Sequence, residues 1–127
     1  MRLPTRIHGV LDYTVGALLI ALPFLLGFGD GAQTWVPVAL GAAAIVYSLF
    51  TDYELGVWRM FPMAVHNLFD IGAGALLAAS PWIFRFADDG TNVWAPFVVV
   101  GIAAIGLGLT TKQKGGYSYR RTTTVAG

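Results

Sequence analysis

The stretch HGVLDYTVGALLIALPF, residues 8–24, returns in mid-chain as HNLFDIGAGALLAASPW, residues 66–82. A shift of 58 residues superposes His8 on His66 and Asp12 on Asp70, and it also aligns a Gly-Ala-Leu-Leu run and a proline. Two unrelated apolar helices share alanine and leucine by chance, but they do not share histidine, aspartate and proline in register. The sequence therefore predicts a tandem duplication of one structural unit.

Each copy contains two long apolar runs, and the composition suits lipid better than water. Hydrophobic residues make up 56% of the 127 residues and charged residues 12%, which is about half the charged fraction of a soluble domain. An α-helix needs about 20 apolar residues to cross a bilayer. Four charge-poor runs approach that length: Pro4 to Phe28, Trp35 to Thr51, Pro62 to Phe86 and Trp94 to Thr111.

These runs predict the fold class, an all-α, integral membrane four-helix bundle built from two tandem parallel two-helix repeats. Because each repeat crosses the bilayer twice, both copies have the same orientation. We assign residues 4–56 to the first membrane repeat, with Gly56 placed to end its second helix, and residues 60–111 to the second. Residues 112–127 are polar and basic, which predicts a disordered cytoplasmic tail.

The segments that close the first helix of each repeat carry a family resemblance. They read LPFLLGF and SPWIFRF; the second begins with Ser80-Pro81-Trp82, whereas the first has Pro23 and Phe24 at the matching positions. With this motif the chain resembles the bacterial SPW-repeat proteins over residues 4–111. The resemblance implies a membrane-embedded protein, and it supplies no catalytic residues.

The basic residues predict the orientation in the membrane. Arg85 alone lies on one side of the predicted path, and the other seven cations lie on the opposite side: Arg2, Arg6, Arg59, Lys112, Lys114, Arg120 and Arg121. Positive residues concentrate on the cytoplasmic side of membrane proteins. We therefore expect a multi-pass protein of the bacterial cytoplasmic (inner) membrane with both termini in the cytoplasm.

The repeated polar residues form the candidate intramembrane site. His8 and Asp12 are four residues apart, as are His66 and Asp70, so each pair shares one helix face. Charged side chains in membrane helices usually point into the bundle. From the helix rise, we expect all four in the cytoplasmic half of the membrane.

Three hypotheses explain these polar residues. In the first, each aspartate bonds the histidine of its own helix, together with a hydroxyl such as Tyr47 or Ser48, and holds the bundle in register. In the second, paired carboxylates and imidazoles form a proton or ion site. In the third, His8 and His66 hold a metal or haem across the pseudo-two-fold axis.

Small residues predict close helix packing. Gly16 and Gly74 lie on the same face as the histidines and aspartates, and small side chains let membrane helices approach closely. Similar glycine and alanine runs occur in all four helices. We expect a tight bundle with little internal cavity.

The sequence favours a non-enzymatic membrane scaffold or interaction protein over a proton- or ion-linked transport protein. It has no nucleophile beside a base, no phosphate-binding loop and no cofactor motif, and cysteine is absent. We assign no catalytic residue, no metal and no cofactor. The expected partners are the lipid bilayer and a second copy or another membrane protein, without nucleic acid.

Overall fold

A computed structural model describes residues 3–111 as four α-helices. These are α1 (Thr5–Leu25), α2 (Ala32–Leu49), α3 (Met63–Ile83) and α4 (Thr91–Thr110), with a short 3-10 turn at Ala87–Asp89. All four helices are long and apolar enough to cross a membrane. The predicted all-α membrane bundle is confirmed. The predicted tail, residues 112–127, lies outside the described residues.

The distribution of polar and apolar side chains is the reverse of that in a water-soluble protein. Leu68, Val99 and Leu109 are 65%, 66% and 64% exposed, whereas His8 and His66 are fully buried. Polar residues form a large part of the interior, and large hydrophobic side chains cover the outside of the helices. This arrangement suits a solvent of lipid chains, where an outward leucine costs nothing and a charged side chain must face inward.

Proline and glycine define where the helices begin. Pro4 and Pro62 directly precede α1 and α3, where the missing N–H of a proline costs no helical hydrogen bond. Gly31 and Gly90 precede α2 and α4 with φ angles of 131° and 120°, a conformation that favours glycine. Because Gly31 makes this turn, α2 begins at Ala32, three residues before the predicted start of its apolar run.

The predicted helix-ending role of Gly56 is wrong, because α2 ends at Leu49. The chain then folds back, and the amides of Val57 and Trp58 donate to the Leu49 carbonyl at 2.8 and 2.9 Å. Gly56 lies in this returning segment, where a side chain would collide with the Thr51 backbone. The loop therefore covers the end of α2 and does not extend it.

The SPW-type prolines lie near the ends of their helices. α1 continues two residues past Pro23, and α3 continues two residues past Pro81. The aromatic residues that follow, Phe24 and Trp82, are 62% and 56% exposed. Both aromatic rings therefore lie on the outside of the bundle.

Within each repeat, the two helices pack through glycine. A Cβ added to Gly74 would lie 2.6 Å from the carbonyl oxygen of Gly101, and one added to Gly41 would lie 2.6 Å from that of Gly16. Those distances are too short for any side chain, so only glycine permits this approach of backbones. Each repeat is thus an antiparallel hairpin whose helices meet at a glycine pair.

The two hairpins meet at both ends of the bundle. At the end near the chain termini, hereafter the terminal end, the lead into α1 pairs with the end of α4 (Leu3 with Thr111), and the lead into α3 pairs with the end of α2 (Phe61 with Thr51). Both pairings join one repeat to the other. At the opposite end, hereafter the loop end, a buried apolar cluster includes Leu19, Phe28, Leu77, Phe86, Val93 and Phe97.

The second helices of the two repeats are not in one constant register. Trp35 and Trp94 are 59 residues apart, whereas the paired glycines Gly41 and Gly101, like the bridge residues Thr51 and Thr111, are 60 apart. One extra residue in α4 rotates its face by about 100°. The 59-residue spacing of the two tryptophans therefore holds only near the start of α4.

Candidate functional site: a buried His–Asp cluster

Four polar side chains converge at the terminal end of the bundle. His8 and Asp12 come from α1, and His66 and Asp70 come from α3. One ligand-type atom from each residue lies within 4.8 Å of the other three. The histidines are fully buried, and the aspartates are 7% and 6% exposed. We call these four residues the His–Asp cluster.

The shortest contacts of the cluster join one repeat to the other. His8 Nε2 lies 2.6 Å from Oδ2 of Asp70 but 3.1 Å from Oδ1 of Asp12, its neighbour on the same helix. His66 Nε2 lies 2.9 Å from Oδ2 of Asp12 and 3.4 Å from Oδ2 of Asp70. The two rings stand nearly at right angles, with centroids 5.1 Å apart. Each imidazole therefore contacts both carboxylates and lies closer to the one from the other repeat.

One threonine lies against the Nδ1 edge of each imidazole. Nδ1 of His8 lies 2.6 Å from Oγ1 of Thr111, and Nδ1 of His66 lies 2.7 Å from Oγ1 of Thr51. Thr111 follows α4 and Thr51 follows α2, so each threonine again comes from the repeat that does not contain its histidine. All the strongest contacts of both imidazoles therefore cross the boundary between the repeats.

Two tyrosines bind the carboxylates, and this part of the site is not symmetric. The Tyr47 hydroxyl donates to Oδ1 of Asp70 at 2.5 Å, and the Tyr53 hydroxyl donates to Oδ2 of Asp12 at 2.9 Å. Both tyrosines belong to the first repeat. Burial, together with the negative charge of Asp12, raises the pKa of Tyr53, so its hydroxyl keeps its proton and remains a donor.

The hypothesis that each aspartate bonds its own histidine describes only the longer contacts. Tyr47 does bind a carboxylate, but Ser48 donates to the carbonyl of Ala44 in its own helix at 2.6 Å. A haem between His8 and His66 does not fit, because Asp12 and Asp70 lie against both Nε2 atoms, where the porphyrin plane would pass. The structure thus keeps the four predicted residues together and changes their pairing.

A pocket of about 150 Å³ opens beside the cluster and is lined by all four helices. Its polar lining residues are Asp12, Asp70 and Tyr47, and the rest of the described lining is apolar. The prediction of little internal cavity is wrong. Glycine and alanine let the helices of one hairpin approach each other, but they leave space between the hairpins: Gly16, Ala44, Ala73, Gly74, Ala103 and Ala104 all line the pocket.

A comparison with protein-family models matches the SPW repeat domain over residues 6–111. The chain belongs to the SPW repeat family. Comparisons with curated proteins and with solved structures give no match. The matched range contains all four membrane helices except Thr5, the first residue of α1, and the whole His–Asp cluster of this SPW repeat protein.

The threonine contacts decide which imidazole nitrogen carries a proton. Each hydroxyl has one hydrogen, and Thr51 donates it to the carbonyl of Tyr47 at 2.5 Å, while Thr111 donates to that of Leu107 at 2.6 Å. The threonine oxygens can then only accept from the histidines. Nδ1 therefore carries a proton in both rings, and each Nε2 either holds a second proton or directs a lone pair at the carboxylates.

Sequence reasoning missed Thr51, Thr111 and Tyr53. The two threonines are equivalent positions of the duplication, and a 60-residue shift at the ends of α2 and α4 would have aligned them. Tyr53 lies in the loop after α2, and no periodic pattern points to a loop residue. Its fully buried ring is visible only in the folded chain.

Proposed function

We propose that this SPW repeat protein is a non-enzymatic membrane scaffold whose His–Asp cluster joins its two hairpins into one unit. The observation that carries this proposal is the crossing of contacts, because His8 is closer to Asp70 than to Asp12. Contacts that cross the boundary stabilise the pairing of hairpins, whereas contacts within one helix do not.

The energetic reason lies in the membrane itself. Charged side chains in membrane helices are costly and usually face the bundle interior, and either hairpin alone would leave a histidine and an aspartate exposed to lipid. Association brings the two pairs together and removes them from lipid. The apolar cluster at the loop end adds packing that a charge change does not affect.

The test uses a full-length chain with a protease site inserted between Trp58 and Arg59, in the loop that connects the hairpins. After cleavage in mild detergent, we expect the two halves to elute together. The combined substitution Asp12→Asn and Asp70→Asn is expected to release them. The matched control, Asp30→Asn with Asp88→Asn, changes two exposed aspartates of the loop end and should leave the halves together.

Two outcomes of this experiment contradict the proposal. In one, the wild-type halves separate as soon as the loop is cut. In the other, the halves carrying both asparagines remain together as firmly as the wild-type halves. Either result removes the His–Asp cluster as the element that joins the hairpins.

Proton- or ion-linked transport is the alternative, and the pocket beside the cluster argues against it. Apart from Asp12, Asp70 and Tyr47, its lining residues are apolar, so they offer no chain of polar groups toward the loop end. We expect no flux of protons or alkali cations in liposomes. Flux that Asp12→Asn with Asp70→Asn abolishes, without loss of thermal stability, would favour transport.

The proposed setting is the bacterial inner membrane, with the terminal end of the bundle toward the cytoplasm. The distribution of basic residues supports this orientation, and it puts the His–Asp cluster in the cytoplasmic half. The exposed apolar side chains support contact with lipid and with a second copy or another membrane protein. Labelling of single cysteines introduced at each end of this cysteine-free chain tests the orientation.

A further inference from the structure

We propose that the His–Asp cluster binds one divalent transition-metal ion of the zinc class, with four ligands: His8, Asp12, His66 and Asp70. This proposal rests on the proposed scaffold function and deepens it, because the ion bonds to both hairpins at once. The ligand atoms are Nε2 of each imidazole and one oxygen of each carboxylate.

The imidazole protons limit what can lie beside the two Nε2 atoms. Nδ1 of each ring donates its proton to a threonine oxygen, and Nε2 of the same ring faces the carboxylates. A lone pair on Nε2 at 2.6 Å from Oδ2 of Asp70 repels the negative oxygen. A positive charge must therefore offset this repulsion at both histidines, and the choice is between two extra protons, which fit the present distances, and one metal ion, which requires the shorter contacts to lengthen.

The environment of His66 suits a bound cation. Its Nε2 is buried and makes no hydrogen bond, although Asp12 and Asp70 oxygens lie 2.9 and 3.4 Å away. The nitrogen lies close to both carboxylates without a hydrogen-bond geometry to either. An N–H group favours one acceptor along its axis, whereas a shared cation attracts a nitrogen and two oxygens to one centre.

The cluster has nearly the dimensions of a tetrahedral zinc site. Zinc binds imidazole nitrogen and carboxylate oxygen in a tetrahedron at about 2.0 to 2.2 Å, which gives ligand-to-ligand distances of about 3.4 Å. The nitrogen-to-oxygen distances in the cluster are 2.6, 2.9, 3.1 and 3.4 Å. The shorter ones must lengthen to admit the ion. Asp12 and Asp70 also line the pocket, which gives both carboxylates room to move.

Hydrogen bonds hold the proposed ligands in place. Metal-bound histidines usually donate their second ring N–H to an oxygen that fixes the ring, and Thr111 and Thr51 do this for His8 and His66. Tyr47 holds Oδ1 of Asp70 and leaves Oδ2 directed at the histidines. This support resembles that of a metal site, in which each ligand is fixed from behind by a hydrogen bond.

Charge balance is also satisfied. Two carboxylates, two neutral imidazoles and one divalent ion form a neutral unit, which suits the interior of a membrane protein. Nitrogen and oxygen ligands without thiolate fit zinc and its neighbours in the first transition row better than copper(I). Two doubly protonated histidines form a neutral cluster too, so the measurement has to distinguish an ion from protons.

The experiment uses the full-length protein in detergent after removal of metals with a chelator. We titrate it with Co²⁺, whose visible absorption reports four-coordinate nitrogen and oxygen ligands, and then displace the Co²⁺ with Zn²⁺. The expected result is one Co²⁺ per chain, loss of the bands on addition of Zn²⁺, and a higher melting temperature with either ion.

Variants locate the ion without removing a ligand. Thr51→Val takes away the oxygen behind His66 and is expected to weaken Co²⁺ binding by about 10- to 100-fold. The control Thr14→Val removes an exposed hydroxyl that bonds only the carbonyl of Val10 in its own helix, and it should leave binding unchanged. Equal affinity of both variants would overturn the assignment of the ion to this cluster.

The wild-type protein alone also decides the proposal. A Co²⁺ spectrum identical to that of the free ion, with no change in melting temperature, overturns the metal site. If the cleaved halves still depend on Asp12 and Asp70 in that case, the scaffold function stands and the cluster is held by protons. If Co²⁺ binds but the halves do not depend on the aspartates, the scaffold function fails instead.

Discussion

The interface within each hairpin and the interface between the hairpins use opposite chemistry. Inside a hairpin, Gly16 meets Gly41 and Gly74 meets Gly101 through backbone contacts that no side chain can enter. Between hairpins at the terminal end, buried imidazoles, carboxylates and hydroxyls make the contacts. Lipid chains provide no hydrophobic drive for helix association, so close packing and hydrogen bonding are the two means available. In this protein, close packing joins the helices within each hairpin, and hydrogen bonding joins the two hairpins at the terminal end.

The separation has a consequence for stability. The glycine contacts depend on shape, so they respond to added volume and not to charge. The polar contacts depend on charge and protonation, so they respond to isosteric changes that alter no volume. Substitutions of the two kinds should therefore weaken different interfaces, and four comparisons follow in order of expected size.

The largest effect is expected from neutralising one aspartate of the His–Asp cluster. Breaking a buried ion pair by removing one partner costs about 3 to 5 kcal/mol. Asp70 makes the two shortest contacts of either carboxylate, with His8 and Tyr47, so Asp70→Asn should destabilise more than Asp12→Asn. Thermal unfolding in detergent measures both, with the exposed Asp88→Asn as control. A larger loss for Asp12→Asn would reverse the assigned order.

The next effect concerns the interface within the second hairpin. Gly74→Ala puts a methyl group 2.6 Å from the Gly101 carbonyl oxygen, and such overpacking costs about 1 to 3 kcal/mol. Gly72, two residues earlier on α3, has nothing near its missing side chain. Gly72→Ala should therefore be neutral or stabilising through helix propensity. Equal melting temperatures for the two variants would contradict the close contact of α3 and α4.

An effect of similar size is expected from the hydroxyls of Tyr47 and Tyr53, which both belong to the first repeat. A hydrogen bond to a charged group contributes about 1.5 to 3 kcal/mol. Tyr47→Phe removes the donor to Asp70, and Tyr53→Phe removes the donor to Asp12. We expect the greater loss of melting temperature for Tyr47→Phe, because its contact is shorter. If neither change lowers stability, the tyrosines do not hold the carboxylates.

The smallest effect is expected from the threonines behind the imidazoles. Thr51→Val and Thr111→Val each remove one acceptor for a histidine N–H, a neutral hydrogen bond worth about 0.5 to 1.5 kcal/mol. The two positions are equivalent in the duplication, so their losses should be alike. A loss at only one of them would show that the symmetry of the repeats does not extend to this contact.

Much of this fold could be predicted from sequence because lipid imposes simple rules. The four helices follow from the length of the apolar runs, and the duplication follows from His8, Asp12 and their copies. The detailed register did not follow, because one extra residue in α4 leaves the hydrophobic pattern intact while it rotates the helix face. The sequence also gave no reason to place α2 three residues earlier than its apolar run.

The candidate site was predictable in its members and not in its pairing. Spacing along one helix favours a contact between His8 and Asp12, and both lie on the same face as expected. The shorter contact with Asp70 depends on how closely α1 approaches α3, and no sequence pattern within either helix predicts that distance. Tyr53 and the two threonines lie beyond the periodic part of the helices, so periodicity could not identify them.

The measurement that tests the crossing most directly is a nitrogen-to-carbon dipolar coupling in the metal-free protein in lipid bilayers, by solid-state NMR, because a bound ion would lengthen the shorter contacts. The chain has two histidines, so His66→Gln leaves only the Nε2 of His8 to couple with labelled aspartate carboxyl carbons. The account predicts that the strongest coupling disappears on further substitution of Asp70→Asn and survives Asp12→Asn. A coupling that survives Asp70→Asn and disappears in Asp12→Asn would contradict it, because His8 would then be paired within its own repeat.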